Sequence, residues 1–394
     1  MTLRRPGFRI TSLDTQSDCD DVQRRMPKIS ATSTASVLSA QLARDSRILV
    51  ARLDSLGDCI LSSGFFAGLR QLFPSAHLTG AFSQSTAPLF AHCPLFDRVL
   101  PVPPGPVAAW RALLDPPYDV AICPRWDVDY WSTRQLALLS QAPVRIGFDR
   151  GPYHYDEPDD GWPGAYFTDL VRTRSDRHEV LKGEDLLHFL GVTGPVPNPR
   201  IWLPDAAKEW AAGFAREHGL ERFAVLAVSA RRQHRVWPVD NFPPVIDAVR
   251  KATDLRFVVV GADDAAAAGA WLQRMRPEAV VCATGGVPVL SSAALIARSD
   301  LYIGMDTGPM HMAAASGVPV VEISCHPLSG RADQANSPSR FGPYATRNRV
   351  LRPFRPLASC VDGCTVAHKP HCITQVRVSQ VVDAALSLLE ESAG

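Results

Sequence analysis

The sequence predicts an α/β fold in which helices cover both faces of parallel sheets. Short apolar runs of strand length recur along the chain, and stretches with a helical spacing of apolar residues separate them. Strands and helices that alternate in this way are typical of βαβ units, whose ligands gather at the carboxyl ends of the strands. The length of 394 residues is sufficient for two domains of ordinary size.

The composition argues against several classes of protein. A formal net charge of +1 provides no broad attraction to nucleic acid. No apolar run approaches the roughly 20 residues of a membrane-spanning helix, so we expect a soluble or peripheral protein. Nine scattered cysteines suit a reducing cytoplasm better than a disulfide framework. Residues 1–45 contain few large apolar side chains and no secretory signal pattern, and we expect a disordered extension there.

The first predicted strand, 47–53, leads into an Asp-Ser-Leu-Gly-Asp turn at 54–58. Apolar residues then repeat at helical spacing as far as Pro74. Gly57 allows the backbone to pass close to a ligand, and Asp58 falls at the start of the helix. Asp is also a preferred helix cap, so a purely structural role explains Asp58 as well.

Alternation continues through the first half of the chain. Strands are predicted at 77–82, 98–102, 119–123 and 144–148, and helices at 108–114 and 133–141. The loop 124–131 places Arg125, Asp127 and tryptophans directly after a strand. Such a mixture suits a sugar-like or phosphorylated partner, although a solvated loop with buried tryptophans explains it equally well.

A polar segment rich in Gly and Pro, 149–177, is predicted to form a long loop or lid. It contains a group of acids: Asp156, Glu157, Asp159 and Asp160. His178 then opens a helix, and the proline-rich stretch 192–200 is predicted to be an interdomain linker.

The second half repeats the pattern, with basic and acidic groups after two of its strands. Strand 223–229 is followed by Arg231, Arg232, His234 and Arg235. This cluster suits anion binding, or simply a solvated surface. Strand 256–261 is followed by Asp263 and Asp264, either of which could bind ribose hydroxyls or cap the next helix.

A strand, a tight turn and a helix start are predicted at 301–316. Pro309 suits the first helical position, and Asp306, Thr307 and Gly308 provide turn chemistry. A helix start with a nearby Thr hydroxyl and His311 one turn inside is a natural anion site, although an ordinary βαβ turn would look similar. A strand at 319–324 is predicted to close the sheet.

The end of the chain carries several thiols and an amphipathic helix, 376–391. A four-residue spacing of possible metal ligands is present in the set Cys360, Cys364, His368 and Cys372. Gly363 and Pro370 interrupt any helix there, and the spacing matches no common zinc pattern. Burial of ordinary thiols is therefore the favoured explanation.

Two of these stretches together resemble glycosyltransferase family 9, the ADP-heptose:lipopolysaccharide heptosyltransferases. Residues 48–74 resemble the strand, SxGD turn and helix that open members of the family, and residues 300–324 resemble its DTGPMH signature. Arg-Ile-Gly-Phe at 145–148, the His-Glu pair at 178–179, the Trp-Pro pair at 237–238 and the late cysteines also fall where the family has matching features.

The resemblance implies a GT-B architecture, with two Rossmann-like domains facing each other across a cleft. It implies an acceptor domain at 46–195, a nucleotide-sugar domain at 196–375, and a last helix at 376–394 that crosses back to the first domain. The implied chemistry is an inverting, metal-independent transfer from an ADP-sugar to a lipopolysaccharide-core or other envelope acceptor. No cofactor is implied beyond the nucleotide-sugar co-substrate.

The resemblance also implies roles for individual residues. Asp58 matches the proposed general base. The donor diphosphate would be bound by Asp306, Thr307, Gly308, His311, Arg235 and Arg232. The donor ribose would meet Asp264 or Asp263, and the acceptor would meet Gly57, Arg125 and Asp127. Arg235 stands where the family often has Lys; it keeps the charge and can bind phosphate with two N–H groups.

Three other functions are compatible with parts of this pattern. A GT-B nucleotide-sugar epimerase would act on the donor alone, and a non-catalytic sugar-nucleotide-binding protein would transfer nothing. A two-domain dehydrogenase is disfavoured because no G-x-G-x-x-G follows any predicted strand. The leading expectation is a glycosyltransferase.

Overall fold

The computed structural model of the chain describes residues 46–127, 129–149, 163–366 and 368–393. The predicted extension 1–45 and the four acids of the predicted lid lie outside these ranges. Within them, the strands form two six-stranded sheets, and every strand pair in both sheets is parallel.

The first sheet is built from the first half of the chain. Its strands are β1 (Arg47–Arg52), β2 (His77–Ser83), β3 (Arg98–Val102), β4 (Val120–Ile122), β5 (Val144–Phe148) and β6 (Asp169–Val171). They lie side by side in the order β3-β2-β1-β4-β5-β6. The order reverses between β1 and β4, and in open α/β sheets the crevice at such a reversal is where ligands bind.

The second sheet repeats this topology. Its strands are β7 (Phe223–Ala227), β8 (Arg256–Gly261), β9 (Val280–Thr284), β10 (Leu301–Met305), β11 (Val320–Ile323) and β12 (Asn348–Leu351). They lie in the order β12-β11-β10-β7-β8-β9, so the reversal falls between β7 and β10. Each sheet therefore has the doubly wound order of a Rossmann fold.

Helices connect the strands on both faces. They are α1 (Leu56–Leu61), α2 (Ser63–Leu72), α3 (Thr133–Leu139), α4 (Glu179–Phe189), α5 (Asp205–Glu217), α6 (Phe242–Thr253), α7 (Asp263–Met275), α8 (Val289–Ile296), α9 (Gly308–Ala315), α10 (Pro338–Phe341) and α11 (Val378–Ala393). No helix in the described ranges has both the length and the apolar content needed to cross a membrane.

Several elements differ from the sequence-based expectation. The single helix predicted to run to Pro74 is divided at Ser62, and Val107–Leu114 forms a 3₁₀ helix rather than an α-helix. The strands β6 and β12 were not predicted. Both are edge strands whose residues are mostly half-exposed, so they lack the continuous apolar run by which a central strand is recognised. The edge strand of the second sheet is therefore β12, and the strand predicted at 319–324 is its neighbour β11.

The last helix packs on the second sheet. Val381, Ala385 and Leu388 of α11 are buried in the same core cluster as the apolar residues of β11 and α6. The expectation that this helix crosses back to the first domain is therefore wrong. The apolar face of this helix is buried against β10, β11, β12 and α6, so the helix packs on the domain that directly precedes it in the chain.

Candidate active site

The two sheets enclose a cavity of about 660 Å³ into which both points of strand-order reversal open. Residues that follow β1, β4, β7, β8 and β10 line it. This volume lies within the range of about 300–1,000 Å³ that is typical of small-molecule sites. The doubly wound topology thus brings together motifs that are more than two hundred residues apart in the chain.

The turn after β1 places Asp58 at the edge of this cavity. Asp58 occupies the first turn of α1 rather than the cap position, which belongs to Ser55. The Ser55 hydroxyl donates a hydrogen bond to Asp58 Oδ2 at 2.5 Å. Asp58 Oδ1 lies 3.5 Å from Arg52 Nη2, and its side chain remains 20% exposed. The carboxylate is therefore oriented from two sides yet open to a ligand.

Behind Asp58 lies a buried ionic cluster that sequence reasoning missed. Asp54 Oδ1 is 2.8 Å from Arg52 Nε, and Arg125 Nη1 donates to Asp54 Oδ2. Burial raises the pKa of Asp54 to about 6, against the lowering effect of the neighbouring Arg52. Burial also disfavours the charged form of Arg52, but the attraction of Asp54 and Asp58 outweighs it and raises the Arg52 pKa. The alternating charges hold Arg52 in place beneath Asp58.

The turn after β10 forms the opposite wall. Thr307 is the N-cap of α9 in an extended conformation, and Pro309 lies in the first turn. Asp306 Oδ2 is 3.1 Å from Arg235 Nη1, and Asp306 Oδ1 is 3.4 Å from His311 Nε2. Burial opposes ionisation of Asp306, but Arg235 and His311 lower its pKa below the usual value. The helix start, its hydroxyl and the guanidinium all border the cavity.

A second buried carboxyl lies beside this turn. Glu322 is 1% exposed, and burial together with the charge of Asp306 raises its pKa to about 8. Glu322 therefore carries a proton at neutral pH and adds no negative charge next to Asp306. The local sequence does not predict this raised pKa, because Glu322 lies in β11 whereas Asp306 follows β10.

The two turns touch directly. A Cβ atom placed on Gly57 would lie 2.4 Å from His311 Cδ2 and 2.8 Å from His311 Nε2. A Cβ on Gly308 would lie 3.2 Å from Leu56 Cβ. Gly57 is therefore required for the close approach of α1 and α9 rather than for a special backbone conformation. The predicted base and the predicted diphosphate site face the same space because of this contact.

The remaining predicted donor residues divide into two groups. Arg232 and Asp264 line the cavity, whereas Asp263 is absent from its wall and has its carboxylate near Gly285. Asp264 follows β8, next to the strand-order reversal. The structure thus separates two acids that were equivalent in the sequence, since only one of them faces the cavity.

The predicted acceptor residues also line the cavity, but two of them are engaged in ion pairs. Arg125 binds Asp54, and Asp127 Oδ2 is 2.8 Å from Arg340 Nη2. Arg340 also binds Glu179 Oε1 at 2.8 Å, and Lys182 Nζ lies 2.7 Å from the same oxygen. Arg340 comes from α10, in the second half of the chain. This buried network therefore joins the two halves beside the cavity.

His178 and Glu179, the N-cap and first residue of α4, lie in this region. Burial lowers the pKa of His178 to about 4, and its Nε2 contacts the carbonyl of Gly342 at 3.1 Å. Burial opposes ionisation of Glu179, but Lys182 and Arg340 lower its pKa to about 2. Both groups thus hold one charge state throughout the physiological range.

Away from the cavity, three thiols and one imidazole converge. Their ligand atoms lie within 4.8 Å of one another and belong to Cys360, Cys364, His371 and Cys372, here called the Cys3His cluster. The imidazole is that of His371 and not the predicted His368. The prediction relied on helical spacing, but the described part of the chain has no helix between Cys360 and His371.

The fold and the two turns that line the cavity agree with the comparisons to known proteins. The model of the family described as glycosyltransferase family 9 (heptosyltransferase) matches residues 108–367, more than half of the chain. The chain belongs to glycosyltransferase family 9. The resemblance inferred from the two turns is confirmed, and with it glycosyltransferase activity.

Relatives of this family 9 chain are known in sequence and in structure. Lipopolysaccharide heptosyltransferase 3 of Escherichia coli is 24% identical over 278 residues, which cover 68% of the chain and 80% of the relative. The structure of a family 9 glycosyltransferase from Veillonella parvula DSM 2008 has a TM-score of 0.69 at 22% identity and covers 88% of this chain and 97% of its own. The structure of the E. coli ADP-heptose LPS heptosyltransferase II has a TM-score of 0.67 at 16% identity, with coverages of 89% and 100%. The expected GT-B architecture is confirmed.

Proposed function

We propose that this glycosyltransferase transfers a heptose or a related sugar from an ADP-sugar to a lipopolysaccharide-core or other cell-envelope glycan, with inversion and without a metal ion. The observation that carries the proposal is the direct contact between the turn of Asp58 and the turn of His311 in one cavity. The relatives are consistent with it, since they include an E. coli lipopolysaccharide heptosyltransferase and an ADP-heptose enzyme.

In this proposal Asp58 is the general base. The acceptor hydroxyl oxygen attacks the anomeric carbon, the bond from that carbon to the diphosphate oxygen breaks, and the hydroxyl proton passes to Asp58. The Ser55 hydroxyl and Arg52 orient the carboxylate toward the cavity. The attacking oxygen and the leaving diphosphate lie on opposite faces of the sugar, which requires base and diphosphate site to face each other across the cavity.

The diphosphate is held at the start of α9 in this proposal. Backbone N–H groups of the first turn and the Thr307 hydroxyl are placed to stabilise the charge that develops on the leaving group. Arg235 and Arg232 add positive charge from the loop after β7. Asp306 positions Arg235 and His311 through its two oxygens. Together these groups supply the charge stabilisation for which other transferases use a metal ion.

In this proposal each half of the chain binds one of the two substrates. The second half, predicted as 196–375, binds the nucleotide-sugar, with Asp264 directed toward the ribose, and the first half, predicted as 46–195, binds the acceptor near Arg125 and Asp127. We further propose that the protein acts in the cytoplasm, at most in peripheral contact with the membrane that carries its acceptor.

The test is a transfer assay with ADP-heptose and a lipopolysaccharide-core acceptor, in which ADP release and glycosylated product are both measured. We expect ADP release only when acceptor is present and an inverted anomeric configuration in the product. Asp58→Asn should lower turnover about 100-fold or more. The ADP-induced rise in melting temperature should be unchanged, because Asp58 does not contact the nucleotide in this proposal.

The control variant is Asp205→Asn, since Asp205 also lies in the first turn of a helix but is exposed. Conversion of the donor without acceptor would indicate an epimerase, and nucleotide binding without transfer would indicate a binding protein. Full activity of the Asp58→Asn enzyme would remove Asp58 from the mechanism. A panel of ADP-, GDP- and UDP-sugars in the melting assay identifies the nucleotide.

A further inference from the structure

We propose that the Cys3His cluster binds one tetrahedral, thiophilic metal ion, zinc or ferrous iron, as a structural centre outside the transfer site. None of its members is among the residues that line the cavity, so the transfer chemistry does not use them. The inference rests on their distances, their burial and the fold of the segment that carries them.

The distances match a metal-binding geometry. His371 Nδ1 lies 3.5 Å from Cys360 Sγ, 4.0 Å from Cys364 Sγ and 3.4 Å from Cys372 Sγ. A tetrahedral ion with metal–sulfur bonds of about 2.3 Å and a metal–nitrogen bond of about 2.0–2.1 Å places sulfur about 3.6 Å from nitrogen and about 3.8 Å from the next sulfur. The three sulfurs therefore surround the nitrogen at the separations of ligands that share one ion.

Hydrogen bonding does not explain this arrangement. A neutral imidazole nitrogen is either one donor or one acceptor, so Nδ1 of His371 cannot satisfy three thiols at once. Disulfide formation does not explain it either. One disulfide would use only two of the three thiols, and all three cysteines are free. Three thiolates and one imidazole are, by contrast, a complete ligand set for structural zinc and a suitable one for iron.

Two of the sulfurs also receive backbone N–H groups. The amide of Thr365 points to Cys360 Sγ at 3.4 Å, and the amide of Leu357 points to Cys372 Sγ at 3.5 Å. Such contacts stabilise thiolates and orient metal ligands. All three cysteines are buried, whereas His371 is half-buried at the outer side of the cluster.

The cluster lies in a segment that has little other means of stability. In the described residues between β12 and α11, regular structure is limited to the 3₁₀ turn Cys372–Gln375. A metal ion there would cross-link Cys360 to Cys372 and fold the segment onto the second domain. That 3₁₀ turn packs against the turn Gln233–Arg235, and the Trp237 indole donates to the carbonyl of Val376 at 3.0 Å. The metal centre therefore supports the loop that carries Arg235.

The experiment begins with the metal content of the purified full-length protein, measured by mass spectrometry of zinc and iron. We expect about one equivalent of one of these metals. His371→Ala should lose it, whereas His368→Ala, which removes a histidine from the same segment outside the cluster, should retain it. Replacement by Co²⁺ should produce the intense visible bands of a tetrahedral thiolate complex in the parent and the His368→Ala protein only.

These measurements need no substrate, so they can fail independently of the proposed transferase activity. Removal of the metal by a chelator should lower the melting temperature of the parent but not that of His371→Ala. If the transferase proposal also holds, His371→Ala should bind ADP more weakly than His368→Ala, because Arg235 loses support. The proposal is overturned by a folded parent protein that binds neither zinc, iron nor cobalt, or by a disulfide between two of the three cysteines.

Discussion

Replacement of Arg340 by methionine should lower the free energy of unfolding, because Arg340 links the two halves of the molecule. Arg340 is 1% exposed, contacts Glu179 at 2.8 Å and Asp127 at 2.8 Å, and stacks on the ring of Trp126. Breaking a buried ion pair from one side costs about 3–5 kcal/mol, because the partner charge stays buried. Lys182 still neutralises part of the Glu179 charge, so we expect a loss near the lower end, about 3 kcal/mol.

The loss is measured by urea unfolding monitored through tryptophan fluorescence, since Trp126 lies directly beneath Arg340. Arg174→Met is the matched control, because Arg174 pairs with Asp176 on the surface and should contribute nothing measurable. The double variant R340M/E179M should lose less than the sum of the two single variants, because the buried Glu179 carboxylate that R340M leaves without its guanidinium is absent from it. A loss below about 1 kcal/mol for Arg340→Met, or strict additivity in the double variant, would refute the assignment of this network as an interdomain link.

Two further predictions follow from the contacts beside the cavity. Gly57→Ala should lower kcat/KM about 10- to 100-fold, because a Cβ 2.4 Å from His311 forces the two turns apart; Gly213→Ala, in an open helix position, should leave activity unchanged, and an equal effect of both would contradict the contact argument. For pH dependence, the folded-state pKa of His178 is about 4 against 6.5 in the unfolded chain. The unfolded chain therefore binds the proton first as pH falls, so stability should be greatest above pH 6.5 and decline by about 3 kcal/mol toward pH 4. His178→Gln should reduce this decline in the free energy of unfolding, which is measured by urea unfolding at a series of pH values. An unchanged decline would show that His178 is not the responsible group.

Much of the fold could be predicted because central strands have a local signature. The strands β5 and β8, which have a neighbouring strand on both sides, begin and end at the predicted residues, since apolar runs bounded by turn residues mark both ends. The edge strands β6 and β12 have no such run, and their pairing depends on a neighbouring strand rather than on their own sequence. The position of α11 likewise depends on its packing against β11 and α6, which its own sequence does not reveal.

In the candidate site, too, some features can be predicted from the sequence and others cannot. The turns around Asp58 and Asp306 are contiguous in sequence, so their residue types can be recognised from the order of residues alone. The partners of those turns cannot, because Arg125 is 71 positions from Asp54 and Arg235 is 71 positions from Asp306, and each pair meets only when the chain folds. Their charges are compatible with burial only as a group, and no single segment reveals that group.

The sequence by itself determined the fold class, the family and the two turns, because these depend on local periodicity and on short motifs. Only the tertiary structure decided which of two adjacent acids faces the cavity, which of two nearby histidines joins the three thiols, and that Gly57 lies against His311. The physical reason is that orientation and proximity are set by the packing of whole elements. Side chains one to three positions apart in sequence can therefore point in different directions, while side chains more than two hundred positions apart share one cavity.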